Sequence, residues 1–195
     1  MKLEQPATNM DKIIRQFRVQ RASGFEQTYP FTTFSCIFGG EQEQPLNDLY
    51  FYFRELFLSG IPEEAGKESV SGAPTLRICA AKGESDLIKF AQDSDCTGRG
   101  KFQHEVLQEY LMNNDPSCLA TEVPVYNEKY LGHIDILRWD GKFLEVVDYK
   151  PKAHKEKKAA SQVARYRQLL AKRTRIPENL IKASYFDNQN YYSIP

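Results

Sequence analysis

"LEVVDYKPKA" spans Leu144–Ala153, and its reading decides how the rest of the chain is organised. It begins as a buried β-strand, with Leu144, Val146 and Val147 in its first half, and then leaves the core through Asp148, Tyr149 and Lys150. Side chains alternate faces along a strand, so Asp148 and Lys150 share a face with Leu144 and Val146, while Glu145, Val147 and Tyr149 point the other way. An acid and an amine closing an apolar face sit at the rim of a core, partly out of water. Two readings compete: an ion pair at a strand end, or a carboxylate that holds a divalent ion with a lysine beside it.

Working outward, "LATEVPVY" (Leu119–Tyr126) and "YLGHIDILRW" (Tyr130–Trp139) read as two preceding strands, separated by turns at Asn127-Glu128 and Asp140-Gly141. Before them "GKFQHEVLQEYLMNN" (Gly100–Asn114) reads as a helix, and after them "EKKAASQVARYRQLLAKRT" (Glu156–Thr174) reads as a longer one. "LIKASYFD" and "NYYSI" supply two final strands. Helix, three strands, helix, two strands predicts an α/β sandwich, a central mixed sheet with helices packed on it.

The first half is less regular. A helix is expected from about Asn9 to Gln20, a β-prone run in "TYPFTTFSCIFGG" (Thr28–Gly40), and a helix in "PLNDLYFYFRELFL" (Pro45–Leu58). A loop follows from Ser59 to about Pro74, then a short strand in "TLRICAA" (Thr75–Ala81) and a short helix over Glu84–Gln92. Residues 1–95 therefore read as a mainly helical elaboration, a cap or partner surface packed on a core of residues 96–195.

Composition bounds the function classes. No run of 18 or more apolar residues is present, so no membrane span is expected, and the first 25 residues lack the apolar stretch of a secretory signal. An intracellular, cytoplasmic protein is the expectation. Cys36, Cys79, Cys96 and Cys118 form no CxxC or Cys/His ligand pair, and are expected to be buried free thiols. The zero net charge conceals an asymmetry: residues 1–95 carry 10 Lys/Arg against 14 Asp/Glu, and residues 142–182 carry 12 against 4. A basic segment of that kind suits a polyanionic partner, or is a solvated helix face.

One carboxylate rarely suffices for a Mg²⁺ or Mn²⁺ site. The preceding strand offers Asp135, flanked by Ile134 and Ile136 on what should be the opposite face, an arrangement that is costly unless the acid is paired or bound. Gly132 either relieves crowding there or marks a bulge. On the helix from Phe102, Val106, Leu107, Tyr110 and Leu111 form the apolar stripe. His104 borders that stripe and Glu105 lies roughly opposite its centre, so His104 is the favoured ligand; imidazole suits Mn²⁺ better than Mg²⁺. Gln162 and Tyr166 stack at i, i+4 beside Ala159, Val163 and Leu170. Tyr166 is either a half-buried aromatic with its hydroxyl in water, or half of a pair that touches nucleic acid or orders Lys150.

Together "GKFQHEVLQEYL", "GHIDIL", "VVDYKP" and "QVARY" resemble the PD-(D/E)xK nuclease superfamily, in its RecB-like branch, over roughly Thr97–Pro195. No single motif is specific, but four in the right order, each on the expected element, are strong evidence. The resemblance implies a restriction-endonuclease-like αβββαβ core in residues 96–195. It implies one or two Mg²⁺ or Mn²⁺ ions held by His104, Asp135, Asp148 and the Tyr149 carbonyl, with catalysis by Asp135, Asp148 and Lys150. Lys150 would orient the attacking water or stabilise the pentacovalent phosphate. Gln162 and Tyr166 would be the auxiliary helix pair. Glu122 matches an acidic position that can take a second ion through water, or is a strand-end glutamate in solvent. No cysteine follows Cys118, so the iron–sulfur cluster of some relatives is not expected. Lys152, Lys155, Lys158 and Arg165, with the rest of the basic segment, would contact phosphates without reading sequence. The implied activity is metal-dependent hydrolysis of DNA, selective for strands, ends or structure, in repair, recombination or mobile-element processing. A catalytically inactive nucleic-acid-binding scaffold and an RNA nuclease are the alternatives.

Overall fold

The computed structural model describes residues 12–20, 26–34 and 44–195. At its centre, β5 (Cys118–Tyr126), β6 (Tyr130–Trp139) and β7 (Leu144–Tyr149) form an antiparallel meander. Crossing over through α4 (Ala159–Thr174), the chain adds β8 (Ile181–Phe186) parallel to β7, and a hairpin then adds β9 (Tyr191–Ile194). α3 (Gln103–Asn114) precedes the meander, in the predicted order.

The first half extends this sheet at both edges. β1 (Lys12–Gln20) and β2 (Glu26–Phe34) pair with each other, and β2 joins β5 at Thr32 and Thr33. After α1 (Gln44–Ser59), β3 (Glu68–Ser69) pairs parallel with the start of β6, and β4 (Ala81–Gly83) pairs with β9. α2 (Asp86–Asp93) completes the list. Among the described residues the result is one mixed nine-stranded sheet flanked by helices.

Several expectations change. The helix foreseen from about Asn9 to Gln20 is the strand β1 where it is described; its β-branched Ile13, Ile14 and Val19 suit a ladder, and all nine residues pair with β2. Residues 1–95 are thus not mainly helical where they are described. The strand expected in Thr75–Ala81 forms only from Ala81 onward. Residues 35–43, with Cys36 and the Gly39-Gly40 end of the β-prone run, lie outside the described residues. Cys96 and Cys118 are buried as expected, but Cys79 is exposed. Among the described residues no helix is long and apolar enough to cross a membrane.

Two apolar clusters sandwich the sheet. Leu144, Val146, Ile134, Leu137 and Ala183 pack with α1 and α4 on one face. Ile136, Val147, Tyr149 and Phe186 pack with α2 and α3 on the other. Strand alternation therefore holds along β7. It fails on β6, because Ile134 and Ile136 belong to opposite faces. The expectation that both isoleucines oppose Asp135 is corrected, and the cause lies on the neighbouring strand. Glu122, between the paired residues Thr121↔Ile136 and Val123↔Ile134, has a left-handed φ of 52°, and the ladder is interrupted there, opposite Asp135.

Candidate active site

The β6–β7 ladder ends at Ile136↔Val147. Continued by one step, it would set Asp135 opposite Asp148; instead the strands part there, and the Tyr149 amide donates to Asp135 Oδ2 at 2.9 Å. β5 occupies the other side of β6, and β3 rejoins β6 only at Tyr130 and Leu131. A gap in strand pairing is left beside Gly132–Asp135 on that edge, and the candidate residues are grouped about it.

From the α3 face come His104 and Gln108. The His104 Nε2–H donates to the Tyr149 carbonyl at 2.9 Å, and Nε2 lies 3.6 Å from Asp135 Oδ2. The buried stripe of α3 runs through Leu107, Gln108, Leu111 and Met112, rotated from the predicted Val106 and Tyr110, and this brings His104 inward. Gln108, one turn on, donates to Glu122 Oε1 at 2.6 Å and to the Asp135 carbonyl at 3.2 Å. Sequence reasoning missed Gln108, although its i, i+4 spacing from His104 was the available signal. Glu105 is exposed, as its place on the helix implied.

From the α4 face, Gln162 Nε2 donates to the Tyr166 hydroxyl at 2.7 Å. Tyr166 is buried, so the reading with its hydroxyl in water is set aside. Burial, and next the charge of Asp148, raise its pKa. Gly132 is explained by this ring: a Cβ there would lie 2.5 Å from Tyr166 Cε1 and 2.9 Å from Val70 Cγ2. The glycine permits close approach of α4 rather than forming a bulge.

Asp148 is more deeply placed than a rim residue, at 0% exposure. Lys150 Nζ lies 2.6 Å from its Oδ2 as an ion-pair contact off the hydrogen-bonding direction, so neither buried carboxylate oxygen gains a well-aligned hydrogen bond. Burial, and then the charge of Asp135, push Asp148 up to about 7. Burial and then Glu122 push Asp135 up to about 7 as well. Burial alone would lower the Lys150 ammonium, but Asp148 and Asp135 outweigh it and its pKa is raised. Glu122, expected as a ligand through water or as a solvated strand end, sits mid-strand among these acids; burial raises it against the hydrogen bond from Gln108.

Buried acids without adequate partners are expensive, and either protonation or a cation relieves them. Imidazole, carboxylate and carbonyl donors together fit a divalent ion such as Mn²⁺ or Mg²⁺. Among the described residues no three His, Cys, Asp or Glu side chains close on one point. His104, Asp135 and the Tyr149 carbonyl lie together, and the Asp148 carboxylate, next to Tyr149 in sequence, is in contact with Lys150.

The basic residues divide into two groups. Lys152, Lys155 and Lys158 are exposed on the turn after Lys150. That turn is fastened by Asp187, whose Oδ2 accepts from the Ala153 amide at 2.8 Å. Arg165 instead donates to the Pro74 carbonyl at 2.7 Å and lies over the Tyr130 ring.

No family model, no curated protein and no solved structure matches the chain.

Proposed function

We propose that this chain is a metal-dependent nuclease of the restriction-endonuclease-like kind, hydrolysing phosphodiester bonds of DNA with a preference for strands, ends or structure over sequence. The observation that carries the reading is the buried, poorly satisfied Asp148 carboxylate beside Asp135, His104 and the Tyr149 carbonyl, with Lys150 in contact. Asp148 and Asp135 together carry more negative charge than the one Lys150 ammonium offsets, and a divalent cation would offset the rest.

His104, Asp135, Asp148 and the Tyr149 carbonyl would hold one Mg²⁺ or Mn²⁺ ion, and Glu122 stands where a second could be served. Such an ion would supply Lewis-acid polarisation of a phosphodiester oxygen. Lys150, whose pKa the charges of Asp148 and Asp135 raise in the ion-free chain, would orient the attacking water or stabilise charge building on the phosphate. Gln108 fixes Glu122 and the Asp135 backbone. Gln162 and Tyr166, hydrogen-bonded to each other, would be the auxiliary pair, with the Tyr166 ring packed against Gly132. The lysines after Lys150 would give salt-sensitive contacts to phosphates.

The test is hydrolysis of linear duplex, single-stranded and closed circular DNA, and of RNA, with Mn²⁺, Mg²⁺ or EDTA, beside Asp148→Ala and Lys150→Ala. Turnover that requires the ion and both residues is expected. Cleavage of closed circles identifies an endonuclease, and cleavage confined to RNA reassigns the substrate. Activity that survives chelation or either substitution overturns the mechanism. Saturable nucleic-acid binding without turnover supports the scaffold reading instead.

A further inference from the structure

Away from the gap, the Asn127–Tyr130 turn faces the C-terminal half of α4 across a groove of about 410 Å³. This groove continues as a hollow of about 230 Å³ beside Tyr130, and the two share Asn127 and Lys172. Four cations gather on it. Tyr130 carries two: Lys129 Nζ lies 5.0 Å and the Arg165 guanidinium 5.1 Å from its ring centroid. Arg173 lies 4.3 Å from the Tyr126 ring centroid, and Lys172 projects into both parts of the groove.

The counter-charge is uneven: the four carboxylates of Glu55, Glu64, Glu68 and Glu128 all approach the wider part or its cations. Arg173 donates to Glu55 and to the Tyr126 hydroxyl, at 2.9 and 2.8 Å, and Lys129 reaches Glu68 only at 4.0 Å. Lys172 has no ion pair among the described residues, and Arg165 is held by a neutral carbonyl. Glu64 and Glu128 line the wider part, but the hollow beside Tyr130 has Arg165 and Lys172 on its walls and no acid. Holding like charges together costs free energy that an anionic ligand recovers. The tyrosine rings and carbonyl contacts fix the two guanidiniums in advance, which lowers the ordering cost of binding.

We infer that this groove is a second contact for the phosphodiester backbone of a nucleic-acid strand. The choice of a nucleic acid over an acidic peptide rests on the nuclease reading. α4 links the two places: Gln162 and Tyr166 stand at the candidate active site, and Lys172 lies ten residues beyond Gln162 on the same helix. That separation is about 15 Å along the axis, the length of about four stacked nucleotides at 3.4 Å each. A strand cut at the gap and running along α4 would meet Arg165 and then Lys172 and Lys129.

The test uses the full chain in EDTA, with a fluorescein-labelled 20-nucleotide oligothymidine read by anisotropy across a NaCl series. Lys129→Gln/Lys172→Gln is the test variant, and Lys89→Gln, an exposed lysine on α2, is the control. The double variant should bind about tenfold more weakly, with the slope of log K against log[NaCl] shallower by about 1.4 for two lost phosphate contacts. The control should match wild type. Unchanged affinity and slope in the double variant overturn the inference, as does a polyglutamate peptide that displaces the oligonucleotide from the wild type but not from the variant. Hydrolysis in Mn²⁺ separates this result from the nuclease reading. Groove-dependent binding without turnover keeps the groove and removes the catalysis. Turnover and affinity indifferent to both lysines remove the groove and keep the catalysis. A wild type that binds no nucleic acid removes the groove.

Discussion

Asp135 and Asp148 should make the ion-free protein less stable as pH rises. Both carboxyls are pushed up to about 7 in the folded chain, burial being the first cause. In the unfolded chain each titrates near 3.9. Between those values the folded state holds the proton and the unfolded state has lost it. Stabilisation from the protonated form is therefore complete below about pH 4 and is lost as pH rises through 7. The two acids face each other and titrate as a pair, so one proton is the unit to count. From pH 5 to pH 7 it is worth about 3 kcal/mol at 1.36 kcal/mol per unit, or about 6–12 °C in Tm for a chain of this size. The assay is urea unfolding in EDTA at half-unit steps from pH 5 to pH 8, which avoids the range where ordinary carboxylates titrate. Asp148→Asn should flatten the profile and be more stable than wild type above pH 7. Mn²⁺ should restore stability more at pH 7.5 than at pH 5, since ion and proton compete for the same oxygens. A wild-type profile that is level or rising over this range, together with an Asp148→Asn variant destabilised at pH 7.5, would refute the argument that these acids are buried at a cost.

Three further outcomes test neighbouring parts of the account. Gly132→Ala forces a methyl against Tyr166 Cε1, at 2.5 Å, and should cost about 1–3 kcal/mol by overpacking, read as a lower urea midpoint with unchanged m-value. Arg138→Ala leaves buried Asp115 without the 2.7 Å contact from the guanidinium, and also removes that cation from Glu145 and Asp86; a loss of about 3–5 kcal/mol is expected in thermal unfolding. His104→Ala should weaken Mn²⁺ binding at least tenfold in calorimetry while leaving the metal-free Tm within about 2 °C, because His104 is 39% exposed.

Much of this protein is legible in one dimension. Apolar periodicity and turn residues placed α3, β5, β6, β7, α4, β8 and β9 in order, because each obeys a local rule of spacing. Alternation on β7 correctly separated Asp148 and Lys150 from Glu145, since a strand flanked by partners on both sides cannot slip. β1 was misread, because Ile13, Ile14 and Phe17 satisfy a helical spacing as well as a strand, and only pairing with β2 decides between them.

Tertiary structure alone decided the rest. The ladder is interrupted at Glu122, opposite Asp135, where the alternation along β6 fails, and the Glu122 backbone angle there is one that no composition announces. The small rotation of α3 that turns His104 inward follows from how its stripe docks on the sheet. The burial of Asp148, and the division of the basic segment between the turn after Lys150 and the groove with Lys129 and Tyr130, depend on chain crossings between distant segments. Sequence specifies which groups are available and which share a face. Desolvation and the meeting of charges depend on what the remainder of the chain lays over them.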